Sequence, residues 1–282
     1  MSNDTIRVWV NGDLVEPDAP AISALDHSVT VGDGVFETVK IERGTPFALS
    51  RHHRRLVRSA AGLGLPEIDL GRVDEGVKAV LEGPALDFGR LRYSVTGGIG
   101  PLGSDREGSA LTYIVLAGPQ ARPPASARLT VVPWTRNERS AVAGLKTTSY
   151  AENVVALARA KERGAIEAVF ANTRGELCEC TGSNVFVVVD GEVLTPPADS
   201  GLLPGITREL VIEWSRRAGI PLREAALPIG VLDEADEVFI TSSTKDVLAI
   251  EAVDGRELPE ARPLTTAIAE LFRSNAERDH DP

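Results

Sequence analysis

The sequence has few cysteines, fewer cations than anions and no long apolar run, and each shortage narrows what the chain can be. Its 282 residues include only two cysteines, Cys178 and Cys180. One residue separates them in a stretch that reads as a strand, so they share a face with Cα atoms about 6.6 Å apart. That is near the upper limit for a disulfide, and a bond there would be strained. Free thiols are expected instead, which favours a cytoplasmic setting. No histidine stands beside the pair, so it is a poor metal site and no metal is predicted. Lys plus Arg is 30 against Asp plus Glu 41, a formal charge of −11. That disfavours nucleic acid or an anionic membrane surface as the main partner. No apolar run approaches the roughly 18 residues that span a bilayer, and the polar N-terminus does not read as a signal peptide. There is no internal repeat. A chain of this length can bury a large core in one or two domains.

What is present is a succession of short strands and amphipathic helices. Ile6–Val10 alternates as a strand and turns at Asn11-Gly12-Asp13. Gly32–Lys40 reads as a glycine-broken turn entering a strand. Ser50 is the expected N-cap of a helix over Arg51–Gly62. Leu56, Ala60 and Leu63 form its apolar stripe, and its other face is basic: Arg51, His52, His53, Arg54, Arg55 and Arg58. A solvated face is the ordinary reading; one inward arginine is the sharper one. A second helix, over Val73–Leu81, precedes strands at Arg90–Thr96 and Leu111–Leu116, with the glycine-rich Gly97–Gly108 read as a mobile loop. The proline-rich Gly118–Pro124 suggests a linker. The chain is therefore read as a domain over 1–117, a linker over 118–125 and a second domain over 126–282. In the second, strands are expected at Arg128–Pro133, Glu167–Ala171, Glu176–Cys180, Asn184–Val189, Glu192–Thr195 and Val238–Thr241. Helices are expected at Val154–Arg163, Ile206–Ala218 and Leu264–Arg273. In the first of these helices Val155, Leu157 and Ala158 are read as one face, with Arg159, Lys161 and Glu162 towards water.

Four features converge on one chemistry. Lys146 ends a short apolar lead-in and precedes the Val154–Arg163 helix, where a side chain can face a pocket; a solvated lysine is the bland alternative. Glu179 follows 33 residues later on the face opposite the cysteines. It reads either as an edge carboxylate or as one kept ionised by a cationic partner. Pro204-Gly205-Ile206-Thr207 opens a helix, a place suited to an anion. Thr241-Ser242-Ser243-Thr244 sets four hydroxyls in a turn after a strand. A reactive lysine, a carboxylate for a cation and two anion cradles together describe a site for pyridoxal 5'-phosphate.

The order of motifs then resembles one family over nearly the whole chain, from Val8 to about Leu258. These are Gly32-Asp33-Gly34-Val35-Phe36-Glu37-Thr38, the His52-x-x-Arg55-Leu56 helix, Lys146, Glu179 with Ser183-Asn184-Val185-Phe186, Pro204–Arg208 and Ala235–Thr244. They are similar to the fold-type IV, or class IV, pyridoxal-phosphate enzymes. These include D-amino acid, branched-chain and (R)-amine transaminases and aminodeoxychorismate lyases. The resemblance implies an α/β (α+β) fold of two domains, an N-terminal α/β sandwich and a C-terminal barrel-like α/β domain. It also implies a homodimer.

The resemblance further implies residue roles. Lys146 is the Schiff-base lysine and the acid/base of a 1,3-proton shift. Glu179 pairs with the pyridine nitrogen. Arg55, Ile206, Thr207 and Ser243 take the phosphate, Leu203 packs on a ring face and Tyr150 lies near the phenolic oxygen. Phe36, Thr38, Thr244 and Lys245 are assigned to the substrate. Known D-amino acid transaminases have tyrosine at the position of Phe36 and arginine at that of Gly97. Lys245, Arg90, Arg92 and Arg106 are the candidate replacements for that carboxylate clamp. The implied function is a transaminase moving an amino group between an amino acid of D type and a 2-oxo acid. The alternative is an aminodeoxychorismate lyase that forms 4-aminobenzoate and pyruvate. An L-branched-chain transaminase and a non-catalytic cofactor-binding protein rank behind.

Overall fold

A computed structural model describes residues 6–282; residues 1–5, the start of the polar N-terminus, lie outside the described residues. The chain divides into two units. The first takes the chain up to Arg122 together with Leu145–Ser149 and His280–Pro282, and the second takes Pro123–Gly144 and Tyr150–Asp279.

In the first unit the elements are β1 (Arg7–Val10), β2 (Asp13–Val15), the single turn α1 (His27–Thr30), β3 (Gly34–Glu42), β4 (Thr45–Pro46), α2 (Leu49–Leu63), α3 (Leu70–Leu81), β5 (Phe88–Thr96) and β6 (Thr112–Pro119). They form a six-stranded antiparallel sheet in the order β2-β1-β6-β5-β3-β4. Asn11 and Gly12, both at positive φ, reverse β1 into β2. Along β3 the two-residue period buries Val35, Val39 and Ile41 with Leu56 and Ala60 of α2 and Val73, Val77 and Val80 of α3. Burying each large apolar side chain of such a row is worth about 1.5–3 kcal/mol. Glu37 falls in the same row, so a carboxylate enters the core and must find partners there.

Ser50 does not cap α2, contrary to the sequence expectation. The helix starts at Leu49, and its cap residue, Ala48, sits at φ 56 without a side-chain cap bond. Ser50 turns instead to Asp281, whose carboxylate accepts its amide at 2.9 Å and also its hydroxyl. Asp281 thus brings the anion that a helix N-terminus favours, which a serine hydroxyl supplies only weakly. The Gly97–Gly108 stretch has no long element but is tied down. Arg106 forks onto Asp33 with two 2.6 Å bonds and donates to the Gly64 carbonyl at 2.6 Å.

In the second unit the elements are β7 (Ser126–Arg136), α4 (Ala151–Glu162), β8 (Glu167–Asn172), β9 (Leu177–Cys180), β10 (Asn184–Val189), β11 (Glu192–Thr195), α5 (Ile206–Arg217), β12 (Leu222–Glu224), the single turn α6 (Val231–Glu234), β13 (Glu237–Ser242), β14 (Asp246–Val253), β15 (Arg256–Glu257) and α7 (Pro263–Arg278). The sheet runs β12-β11-β10-β13-β14-β7-β8-β9, with β15 on β14. Its β14–β7, β7–β8 and β11–β12 pairs are parallel and the others antiparallel. β10 is buried along nearly its whole length, and its Phe186 stacks on Phe239 of β13 at 4.6 Å. A strand covered on both faces reads as a continuous apolar run, as Val185–Val188 does.

Two features of this unit depart from the sequence reading. β14 is not among the expected strands, because Glu251 and the small Ala249 and Ala252 dilute its apolar signal. In α4 the inward residues are Ala156 and Ala160, packed with Val132, Ala168 and Phe170, whereas Val154 and Val155 are 65 % and 54 % exposed. Small side chains let the helix lie close to β7 and β8, and the bulk comes from the sheet. The cysteines are free and buried. Burial pushes the Cys178 thiol up to about 12, and Cys180 also lies well above the ordinary thiol range. Both are therefore inert protonated thiols.

Candidate active site

Lys146 is held through its backbone. The Leu145–Ser149 segment lies along the start of β3, where Phe36 N donates to Lys146 O at 3.0 Å and Thr148 N to Gly34 O at 2.8 Å. Lys146 N donates to Ser59 Oγ of α2 at 3.1 Å. Gly62 permits this docking, since a Cβ there would lie 2.7 Å from the Leu145 side chain. The result is a half-buried lysine whose ammonium stands 4.5 Å from the centre of the Phe36 ring. Arg92, two residues along β5 from Ser94, the partner of Phe36, stacks on the same ring at 3.8 Å. Thr38, half-buried, pairs with Arg92 in register. Two cations thus border one buried aromatic ring.

Beneath β3, α2 presents His52, Arg55, Leu56, Ser59 and Ala60 inward at helical spacing, while Arg54 and Arg58 are exposed. Arg55 is therefore the inward arginine of the basic helix. Its Nε and Nη2 donate to the two oxygens of Glu37 at 2.8 and 2.6 Å, and His52 Nδ1 lies 2.6 Å from Glu37 Oε2. Burial pushes the Glu37 carboxyl up, but Arg55 and His52 outweigh it and hold it far below the usual range. Burial pushes His52 down, and Arg55 and Lys146 add to that against the pull of Glu37. His52 is thus a neutral ring donating Nδ1–H to an ionised Glu37. The motif reading gave Glu37 no role. The available signal was an acidic residue in the apolar row of an alternating strand.

The second unit carries the other candidates. Glu179 is half-buried on β9, on the side away from the cysteines. Its Oε2 accepts the Leu203 amide at 3.0 Å, and its Oε1 lies 3.3 Å from Arg136 Nε at the end of β7. Arg136, not singled out in the sequence, stacks on Phe170 at 4.0 Å and donates to Asn153 at 2.9 Å and to Glu152. Leu203 is clamped from both ends, because Asn184 Nδ2 donates to its carbonyl at 2.8 Å. A Cβ at Gly205 would lie 2.0 Å from Asn184 Oδ1, so a larger residue there would have to displace the Asn184 amide. Gly205 begins α5 without a side-chain cap, which leaves the amides of the first turn, from Ile206 and Thr207, as donors. Tyr150 is the half-buried N-cap residue of α4.

At the end of β13, Thr241 Oγ1 and Ser242 Oγ are buried without a hydrogen-bond partner among the described residues. Ser243 and the buried Thr244 continue that turn. Lys245 closes it, with its ammonium 2.6 Å from Glu167 Oε1. The structure thus brings Lys146, Phe36 and Arg92 together, Glu37 with His52 and Arg55, Glu179 with Leu203 and Arg136, and Lys245 with Glu167.

The family model described as Amino-transferase class IV matches residues 34–253. A putative branched-chain-amino-acid aminotransferase of Methanocaldococcus jannaschii is 31% identical over 279 residues, covering 95% of this chain and 96% of that protein. The bifunctional aminodeoxychorismate lyase / D-amino acid transaminase of Mycobacterium tuberculosis is 30% identical over 293 residues, covering 94% and 95%. The crystal structure of the Escherichia coli branched-chain amino acid aminotransferase superposes with a TM-score of 0.88 at 26% identity, covering 95% of this chain and 93% of that one. The donors present fit the family's cofactor, pyridoxal phosphate. Buried hydroxyls that lack partners, and a helix start without a side-chain cap, suit a phosphate dianion, and a lysine beside an aromatic ring suits an aldehyde. The chain belongs to the class IV aminotransferases, enzymes that work with pyridoxal phosphate.

Proposed function

We propose that this enzyme moves an amino group between a D-amino acid and a 2-oxo acid. The observation that carries the reading is the cation pair on Phe36: Lys146 at 4.5 Å and Arg92 at 3.8 Å from one ring centre. A reactive amine and a permanent guanidinium beside one ring suit a substrate with a carboxylate next to its amino-bearing carbon. Arg92 is the preferred clamp, since it stacks on the same ring as Lys146, whereas Arg106 pairs with Asp33 and Lys245 with Glu167. Phe36, Thr38 and Thr244 complete the substrate contacts.

When bound, the pyridine ring supplies an electron sink for the carbanion left at the substrate carbon. Lys146 holds the cofactor and then takes and returns the substrate proton at Nζ. Glu179 would pair with the protonated ring nitrogen, and Arg136 and the Leu203 amide hold its carboxylate in place. Arg55, the first amides of α5 with Thr207, and Ser243 hold the phosphate. Leu203 would pack on the ring and Tyr150 would stand near its phenolic oxygen. Free buried thiols suit a cytoplasmic enzyme. A homodimer would cover Val29, Ile99 and Leu102, which are 62 %, 58 % and 77 % exposed.

The lyase is the second reading, and Gly97 favours it. A Cβ at Gly97 would lie 2.3 Å from Asp33 Oδ2, so the Asp33–Arg106 pair occupies the place of an arginine side chain. A half-reaction separates the readings. Mixed with D- and L-amino acids, the enzyme should convert its aldehyde cofactor to the amine with D donors. Pyruvate released from aminodeoxychorismate, with no conversion by any amino acid, would replace the transaminase with the lyase. In the same assay Arg92→Ala should raise KM for amino acids about ten-fold while sparing amines that lack a carboxylate.

Arg55→Ala is expected to weaken cofactor affinity about 10- to 100-fold, since a charge-assisted contact is worth up to about 3 kcal/mol. Arg54→Ala, at an exposed position, should change it hardly at all. Cofactor titration of the two variants is the check, and equal losses would assign the phosphate to another residue. Arg55→Ala should also lower the melting temperature of the apo-protein, because Glu37 is left buried without its cation.

A further inference from the structure

Glu167 opens β8 with only 3 % of its surface exposed. An unpaired carboxylate there would be very costly. Donors reach it from two turns. The turn between β9 and β10 gives Gly182 N at 2.7 Å, Thr181 Oγ1 at 3.1 Å and Ser183 Oγ at 2.6 Å. The turn between β13 and β14 gives Lys245 Nζ at 2.6 Å. Asn184 pairs with Thr241 in register, so both turns stand at the same end of the sheet. Glu179 lies two residues before the first turn, and Ser243 lies two residues before Lys245. The Lys245 amide donates to Ser242 O at 3.2 Å, so the backbone of the second turn is closed by the same residue.

We infer that Lys245 is a positioning residue: its ion pair with Glu167 ties the Ser242–Thr244 turn to the turn that follows Glu179, and so sets Ser243 for the cofactor phosphate. The inference rests on the phosphate role proposed for Ser243. Three hydrogen bonds and the ammonium use the acceptor sites of the Glu167 carboxylate about completely. The pair carries no net charge, so it offers a substrate carboxylate little attraction. Its effect is geometric, joining two segments 78 residues apart in the chain.

The test compares pyridoxal phosphate with pyridoxal, which lacks the phosphate, by titrating the cofactor-free protein and following cofactor absorbance. Lys245→Met should weaken pyridoxal phosphate about ten-fold and pyridoxal by less than about two-fold, with Lys245→Arg recovering most of the difference. KM values for a D-amino acid and for an amine without a carboxylate should shift by the same factor. The double variant Glu167→Gln/Lys245→Met leaves no unpaired buried charge; if the single variant fails to fold, the double should show the same selective loss. Equal losses for both cofactors, an unchanged pyridoxal phosphate affinity, or a KM increase confined to carboxylate substrates would overturn the inference. Failure of the unmutated protein to bind pyridoxal phosphate would remove the cofactor assignment first.

Discussion

Replacing Lys146 with alanine is expected to lower turnover by at least about 10⁴-fold, or about 5.4 kcal/mol of barrier. In the proposed mechanism the substitution removes both the group that holds the cofactor and the base that moves the substrate proton. The fold should survive. Phe36 N and Ser59 Oγ hold the backbone of residue 146, and neither bond needs the lysine side chain. Apo-protein stability should therefore stay within about 0.5 kcal/mol. Steady-state assays and thermal melts measure the two halves of this statement. Borohydride reduction of the unmutated holoenzyme, followed by peptide mapping, should place the pyridoxyl group on Lys146. A label on Lys161 or Lys245 would sink the assignment.

Glu179→Gln should lower turnover by roughly 10²-fold or more, near 2.7 kcal/mol, with a smaller effect on cofactor affinity. Glutamine keeps the shape and can still accept the Leu203 amide through its carbonyl oxygen, so the loop entering α5 should stay in place. What it lacks is the charge that, in the proposed role of Glu179, holds a proton on the ring nitrogen. Rapid-mixing kinetics should show the loss in the chemical step. Full activity in this variant would mean that ring protonation is not needed or that another acid supplies it. Arg136, 3.3 Å from Glu179 Oε1, makes the lost charge specific. Arg136→Met should move the activity in the same direction by less, because the carboxylate would remain.

The elements legible in the sequence are those whose pattern is local. The Asn11-Gly12 hairpin, the buried run of β10 and the stripe of α2 each follow from residues within one turn or one strand. Ser50 and the α4 face were misread because their partners are remote. Asp281 takes over from a serine 231 residues away, and Val132 and Phe170 decide which face of α4 is inside. β14 lies below the threshold of periodicity because its alanines carry little apolar signal.

By itself the sequence determined the class of the protein and the order of its motifs, and it singled out residues whose chemistry suits a phosphate, an aldehyde and a ring cation. Those follow from side-chain chemistry, which needs no neighbours to be read. Only the tertiary structure decided which charges are neutralised. Arg55 and His52 meet on Glu37, Arg106 closes on Asp33 beside Gly97, Arg136 joins Glu179, and Lys245 is drawn onto Glu167. Each partner lies between 15 and 78 residues away in the chain. The cost of burying a charge depends on distances of a few ångströms, which folding sets and local sequence pattern does not.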